Sequence, residues 1–143
     1  MCYRRRLVTA LHSRLVLVVD DTPAVLRVVG RQLTAIGCDV ISSRSAEQAL
    51  RILDRVRGTV DLLLTDLSLP GMDGVALGQE VGRRHPRVAV LYMTAGTTHS
   101  LPAWAVLQKP FSTRLLADTL ARTVGADSDI LHTSSATNES LEP

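Results

Sequence analysis

Short apolar runs alternate with helical patterns along this chain, and that alternation limits its fold more than any other feature. The run "LVLVV" (15–19) is continuous and β-branched, as expected of a strand buried on both faces. "DDTPAVLRVVGRQLTAIG" follows, with Pro23 near the first helical position, Gly37 as a stop, and Leu26, Val29, Leu33 and Ile36 at helical spacing. "DVIS" (39–42) predicts a short second strand. Ser45 and Gln48 have the spacing of a capping box, opening a helix that carries Ala49, Leu50, Leu53 and Val56. "VDLLL" (60–64), "VAVLYM" (88–93) and "WAVLQ" (104–108) predict three further strands. "DGVALGQEVGRRH" reads as a weaker, glycine-containing helix, and a last helix starts at Ser112 with Leu115, Leu116, Leu120 and Val124. Such alternation predicts an α/β fold with a doubly wound, five-stranded parallel sheet and helices on both faces.

The bulk properties exclude several classes. At 143 residues, 45% apolar and 21% charged with a net charge of +2, the chain reads as one ordinary globular domain, neither disordered nor a polyelectrolyte. Cys2 and Cys38 have no metal spacing and no disulfide framework, which suits reduced thiols and a cytoplasmic location. No apolar stretch approaches the ~20 residues of a membrane span. Residues 1–13, "MCYRRRLVTALHS", read as a basic extension with a solvated tip: the apolar part is too short for a signal peptide, and no aromatic interleaving suggests nucleic acid. The end, "GADSDILHTSSATNESLEP", has acids but no Lys or Arg, so residues 126–143 read as a disordered acidic and polar tail. The folded unit is then 14–125.

Open parallel sheets bind ligands at the carboxyl ends of their strands. At those ends the sequence places Asp20 and Asp21 after the first run, Thr65 and Asp66 after the third, Thr94 after the fourth and Lys109 after the fifth. Three carboxylates ~4 Å apart repel by roughly 4 kcal/mol per pair at an effective dielectric of about 20, so the site needs compensating positive charge. A hard divalent cation, Mg²⁺ above all, provides it, together with Lys109. An acidic metal pocket with one forward carboxylate, a lysine and a hydroxyl suits phosphoryl transfer onto Asp66, with Thr94 bonding the transferred group. Taken singly, Asp20-Asp21 would be helix-capping residues and "LPGMDG" a turn with Asp73 as N-cap. Complementary pieces at four strand ends outweigh those separate readings.

With these residues in view, the chain resembles the receiver domain of two-component response regulators over about 14–125. The likeness rests on "LVLVVDD", "VDLLLTDLSLPGMDG", "VLYMTA" and "LQKPF", in that order. It implies a flavodoxin-like sheet of order 2-1-3-4-5. Asp66 matches the phosphoacceptor, and Asp20 and Asp21 the acid pair that binds Mg²⁺. The backbone carbonyl of Ser68 matches the third protein oxygen on the metal. Thr94 matches the switch hydroxyl, Ala95 the small residue beside it, and Lys109 the phosphate-binding lysine, whose bond to Pro110 is commonly cis in the family. The implied donor is a phosphohistidine on a sensor histidine kinase or phosphotransfer protein. The output is contact with a downstream protein, from a monomer or weak homodimer, with no nucleic acid and no membrane. The chain would catalyse only its own phosphotransfer and dephosphorylation. Two rivals are a receiver-like scaffold that is never phosphorylated and a phosphatase with an aspartyl-phosphate intermediate. The phosphatase needs aspartates at i and i+2 after the first strand, and here they are adjacent. Dinucleotide binding lacks its glycine-rich fingerprint.

The sequence departs from the family at two places. The aromatic residue that receivers carry three positions before the lysine is Val106 here. Between Thr94 and "WAVLQ" there are only nine residues, "AGTTHSLPA", against the dozen or more of a usual parallel crossover. The expectation is a loop or at most one helical turn in 95–103, so that the helix usual between strands four and five is shortened or missing. Trp104 would then either cover the uncovered sheet or be a strand-end core residue, with a dimer contact as a third reading. The residues after Gly125 are too few and too polar for an output domain, which leads to the expectation of a stand-alone regulator, either an output protein or a phosphate sink.

Overall fold

A computed structural model of the protein describes residues 11–96 and 101–125; the readings for residues 1–10, 97–100 and 126–143 lie outside them. The elements are β1 (Leu15–Val19), α1 (Pro23–Ala35), β2 (Asp39–Ser43), α2 (Ala46–Arg55), β3 (Leu62–Asp66), α3 (Gly74–Arg84), β4 (Ala89–Thr94), β5 (Val106–Gln108) and α4 (Thr113–Leu120). A 3₁₀ turn, Ala103–Ala105, precedes β5, and a π-helical turn, Ala121–Gly125, follows α4. The strands form one parallel sheet in the order β2-β1-β3-β4-β5, as the resemblance implied.

Alternation along each strand sends successive residues to opposite faces, which splits the core into two layers. Val16, Val18, Leu62, Leu64, Leu91 and Met93 face α1 and α4, where Val29, Leu33, Leu116 and Leu120 meet them. Leu17, Val19 and Leu63 face α2 and α3 and pack with Ala49, Leu53, Leu77 and Val81. Each leucine buried in this way contributes roughly 1.5–3 kcal/mol relative to exposure. The helix ends follow their local signals. The Ser45 hydroxyl accepts the Gln48 N–H at 3.1 Å, while the Gln48 side-chain oxygen accepts the N–H of Arg44, one residue earlier than the simple capping box would have it. Asp73 caps α3 by accepting the Ala76 N–H at 2.9 Å, and Ser112 caps α4 by accepting that of Leu115 at 3.0 Å.

Several boundaries differ from the sequence reading: β2 extends to Ser43, β4 runs from Ala89 to Thr94, and three others bear on the core and the site. β3 starts at Leu62 and runs on through Thr65 and Asp66; Asp61, just before it, ties its start to β1, its N–H donating to the Leu15 carbonyl at 2.9 Å and its carboxylate accepting the Leu15 N–H at 2.8 Å. Leu11, read as part of the extension, is 1% exposed and sits in the α1–α4 layer. β5 does not start at Trp104. The Ala105 N–H bonds to the Pro102 carbonyl at 3.0 Å, which curls 103–105 into a turn and delays the strand to Val106. Trp104 is left 66% exposed, so it neither covers the sheet nor belongs to the core.

Among the described residues no α-helix lies between β4 and β5. The aromatic residue on that side of the sheet is Tyr92, which pairs with Val106 and faces the same way. Its phenol reaches onto α3 at Gly78, where an added Cβ would come within 2.0 Å of the Tyr92 oxygen. Glycine is what admits the ring there. Partial burial raises the Tyr92 pKa. No described helix is long and apolar enough to cross a membrane.

Candidate phosphoryl-transfer site

The sheet order makes β1 and β3 neighbours, so their carboxyl ends bring Asp20, Asp21 and Asp66 to one rim. Oxygens of the three carboxylates lie within 4.8 Å of one another. Asp20 is fully buried and both its oxygens are occupied: Oδ1 accepts the Thr22 N–H at 2.9 Å and Oδ2 the Lys109 ammonium at 3.0 Å. Thr22 is the N-cap of α1 and makes no side-chain cap bond, so Asp20 is not the cap residue itself and serves the helix start only through its bond from the Thr22 N–H. Asp21 is exposed and opens the cluster toward solvent.

Asp66 is 7% exposed, with Oδ2 3.4 Å from the Lys109 nitrogen and Oδ1 3.4 Å from the Ser68 N–H. Main-chain bonds fix its setting. The Leu67 N–H continues the ladder to the Met93 carbonyl at 3.0 Å, and the Thr65 hydroxyl donates to the Asp66 carbonyl at 3.0 Å. Helix α3 begins directly on top of this peptide. A Cβ at Gly74 would fall 2.1 Å from the Asp66 carbonyl oxygen, so only glycine lets α3 approach it. The sequence reading took glycine here as a weakness of the helix; a glycine directly after the N-cap Asp73 was the available signal.

Thr94 ends β4 at 8% exposure, its Oγ1 accepting the Gly96 N–H at 3.0 Å, with Ala95 exposed beside it. Its carbonyl accepts the Lys109 N–H at 2.7 Å, which joins two residues far apart in sequence at one point of the rim. The Lys109–Pro110 bond is cis. A second cation, missed in the sequence, stands at the edge: Arg44 reaches the Asp21 carbonyl at 3.5 Å.

The charges act on each other strongly. Burial, and then the charge of Asp20, raise the Asp66 pKa above its ordinary value, and Lys109 with the Ser68 N–H pulls partly against them. For Lys109 burial favours the neutral amine, but Asp20 and Asp66 together outweigh it and raise the pKa, so the ammonium is held charged at neutral pH. Three carboxylates against one close ammonium still leave an anionic, all-oxygen donor set with an open edge at Asp21 and exposed Ser68. Hard divalent cations bind such sets, so the residues fit Mg²⁺.

Comparison with known proteins agrees with this geometry. Residues 16–121 match the family described as response regulator receiver domain. The chain is 33% identical over 115 residues to the sensor kinase CckA of Brucella abortus (strain 2308), covering 76% of this chain and 12% of that one. It is 38% identical over 79 residues to the transcriptional regulatory protein GlrR of Escherichia coli (strain K12), covering 55% of this chain and 17% of that one. The chain thus spans less than a fifth of the length of these two relatives. Among solved structures, the Vibrio cholerae chemotaxis protein CheY4 superposes with a TM-score of 0.70 at 25% identity, over 78% of this chain and 98% of that one.

Proposed function

The chain belongs to the response regulator receiver family, and on that premise we propose that it is a phosphoacceptor whose Asp66 takes a phosphoryl group from a phosphohistidine of a sensor kinase or phosphotransfer protein. The observation that carries this reading is the meeting of three carboxylates within 4.8 Å of one another and one ammonium 3.0 and 3.4 Å from two of them. An Asp66 oxygen attacks phosphorus, the P–N bond to the donor imidazole breaks, and the imidazole leaves as it takes up a proton. Lys109 stands where it neutralises charge building on the phosphoryl oxygens, and the Thr94 hydroxyl donates to one of them. Asp20, Asp21, Asp66 and the Ser68 carbonyl would hold Mg²⁺, which when bound neutralises phosphoryl charge. In the reverse half of the cycle water attacks the same phosphorus, the P–O bond breaks, and Asp66 returns as a carboxylate with release of inorganic phosphate.

Output by contact with a downstream protein belongs to the same proposal, as does the cytoplasmic setting that reduced thiols suggest. Incubation with a small phosphoramidate donor tests the core of it by intact mass. The native protein gains one phosphoryl group when Mg²⁺ is present, and loses that ability with a chelator or as Asp66→Asn. A native chain that stays unlabelled where a control receiver is labelled would establish the scaffold reading instead.

A further inference from the structure

Lys109 must place a charge between Asp20 and Asp66 from the end of a strand only three residues long. Its side chain is long and flexible, so the position of the ammonium depends on how firmly its own backbone is mounted. On the strand side the mount is the bond from the Lys109 N–H to the Thr94 carbonyl. Beyond Lys109 the chain turns through Pro110, Phe111 and Ser112 into α4. There the Phe111 carbonyl accepts a hydrogen bond at 2.9 Å from the side-chain Nε2 of Gln32, on the last turns of α1, 79 positions away in sequence.

We propose that Gln32 is a positioning residue for Lys109: its amide clamps the loop 109–112 to α1 and so fixes where the ammonium stands. This role rests on the phosphoacceptor reading given above. Gln32 is half-buried beside Leu33, which is fully buried, while Phe111 packs partly buried against the same layer. The ring thus gives the loop its depth and the amide gives it register. The chemistry at position 32 is specific, because a carbonyl can be met only by a donor. Glutamate has the size of glutamine but turns an oxygen toward the Phe111 oxygen; methionine has similar reach and no donor. From sequence, Gln32 looks like one more polar residue beside the apolar stripe of α1.

The test uses the full chain as Gln32→Glu and Gln32→Met, each alone and combined with Lys109→Ala. In metal-free protein, amide hydrogen exchange followed by NMR should accelerate about tenfold at Lys109, the factor set by an ordinary net hydrogen bond, while Val18 in the interior strand β1 keeps its rate. Transfer from the small phosphodonor should slow about three- to tenfold in both variants at unchanged Mg²⁺ affinity, and neither change should slow the Lys109→Ala protein any further. Unaltered exchange at Lys109, or equal acceleration at Val18, overturns the proposal. So does a second slowing of the same size in the Lys109→Ala background, since Gln32 would then act on the fold at large. A native chain that takes no phosphoryl group defeats the phosphoacceptor reading, and the exchange measurement still decides whether Gln32 mounts Lys109.

Discussion

The two flanks of β4 are built on different terms. Toward β3, five residue pairs align, the ladder continues past the strand end through Leu67, and α3 rests on the Asp66 peptide so closely that Gly74 has no room for a side chain. Toward β5, three pairs align, no α-helix is present among the described residues of the connection, and Trp104 stands in solvent. The difference shows which part of the fold the chemistry needs. Bringing three carboxylates and an ammonium together at one rim, with a hydroxyl on the next strand end, demands fixed strand ends and tight backbone contacts. Among the described residues the far flank carries less cover, and the bond from the Lys109 N–H to the Thr94 carbonyl is made there all the same.

The sharpest way to break this comparison uses two glycines of α3. Gly74→Ala forces a Cβ onto a backbone oxygen that cannot step aside and is expected to destabilise by about 3 kcal/mol or more in urea titration. Gly82→Ala meets nothing within 4 Å and should stabilise by roughly 0.5–1 kcal/mol through helix propensity. Similar effects at the two sites would mean that α3 does not press on Asp66. Next in size is Lys109→Ala. Phosphoryl transfer should fall about 10²-fold, as when one preorganised charge partner is removed. Without metal, buried Asp20 loses its counter-ion, and stability drops by about 3 kcal/mol. Added Mg²⁺ should recover much of that loss, and Tm measured with and without the ion reads both effects.

A smaller effect follows from the raised pKa of Asp66. A carboxyl that binds its proton more tightly in the folded than in the unfolded chain penalises the fold fully above its raised pKa. The penalty shrinks as pH falls through that raised value and is gone once pH is below the ordinary value of 3.8. Asp66→Asn in a chelator should therefore melt a few degrees higher than the native protein at pH 7, and the gap should narrow steadily on acidification. A gap independent of pH would show that Asp66 is not strained by its neighbours. Smallest of all, Trp104→Ala should change stability by less than ~0.5 kcal/mol, the range of ordinary surface substitutions. Because Trp104 is the one tryptophan, the native emission should also be that of a solvated indole. A change above about 1 kcal/mol would show a contact that covers the β5 flank.

Much of the site was legible because its chemistry sits where apolar runs stop. A run of buried residues says where a strand ends, and parallel strands put those ends together, so Asp20, Asp66, Thr94 and Lys109 could be assigned to one rim before any distance was known. What remained hidden depends on contacts between remote segments. Gly74 and Gly78 differ from Gly82 only in what lies opposite them, the Asp66 carbonyl and the Tyr92 phenol. Trp104 looked like the start of a strand because "WAVLQ" is continuously apolar, whereas one bond to the Pro102 carbonyl decides that it is a turn. Asp20 had a capping role open to it until Lys109 was found 3.0 Å away and the N-cap of α1 proved to be Thr22.

The bond from the Lys109 N–H to the Thr94 carbonyl involves main-chain atoms alone. Replacing either side chain therefore deletes one functional group and leaves the mounting of the other intact. The hydroxyl and the ammonium can thus be removed one at a time, and a double variant reads how strongly they couple through the phosphoryl group they would share.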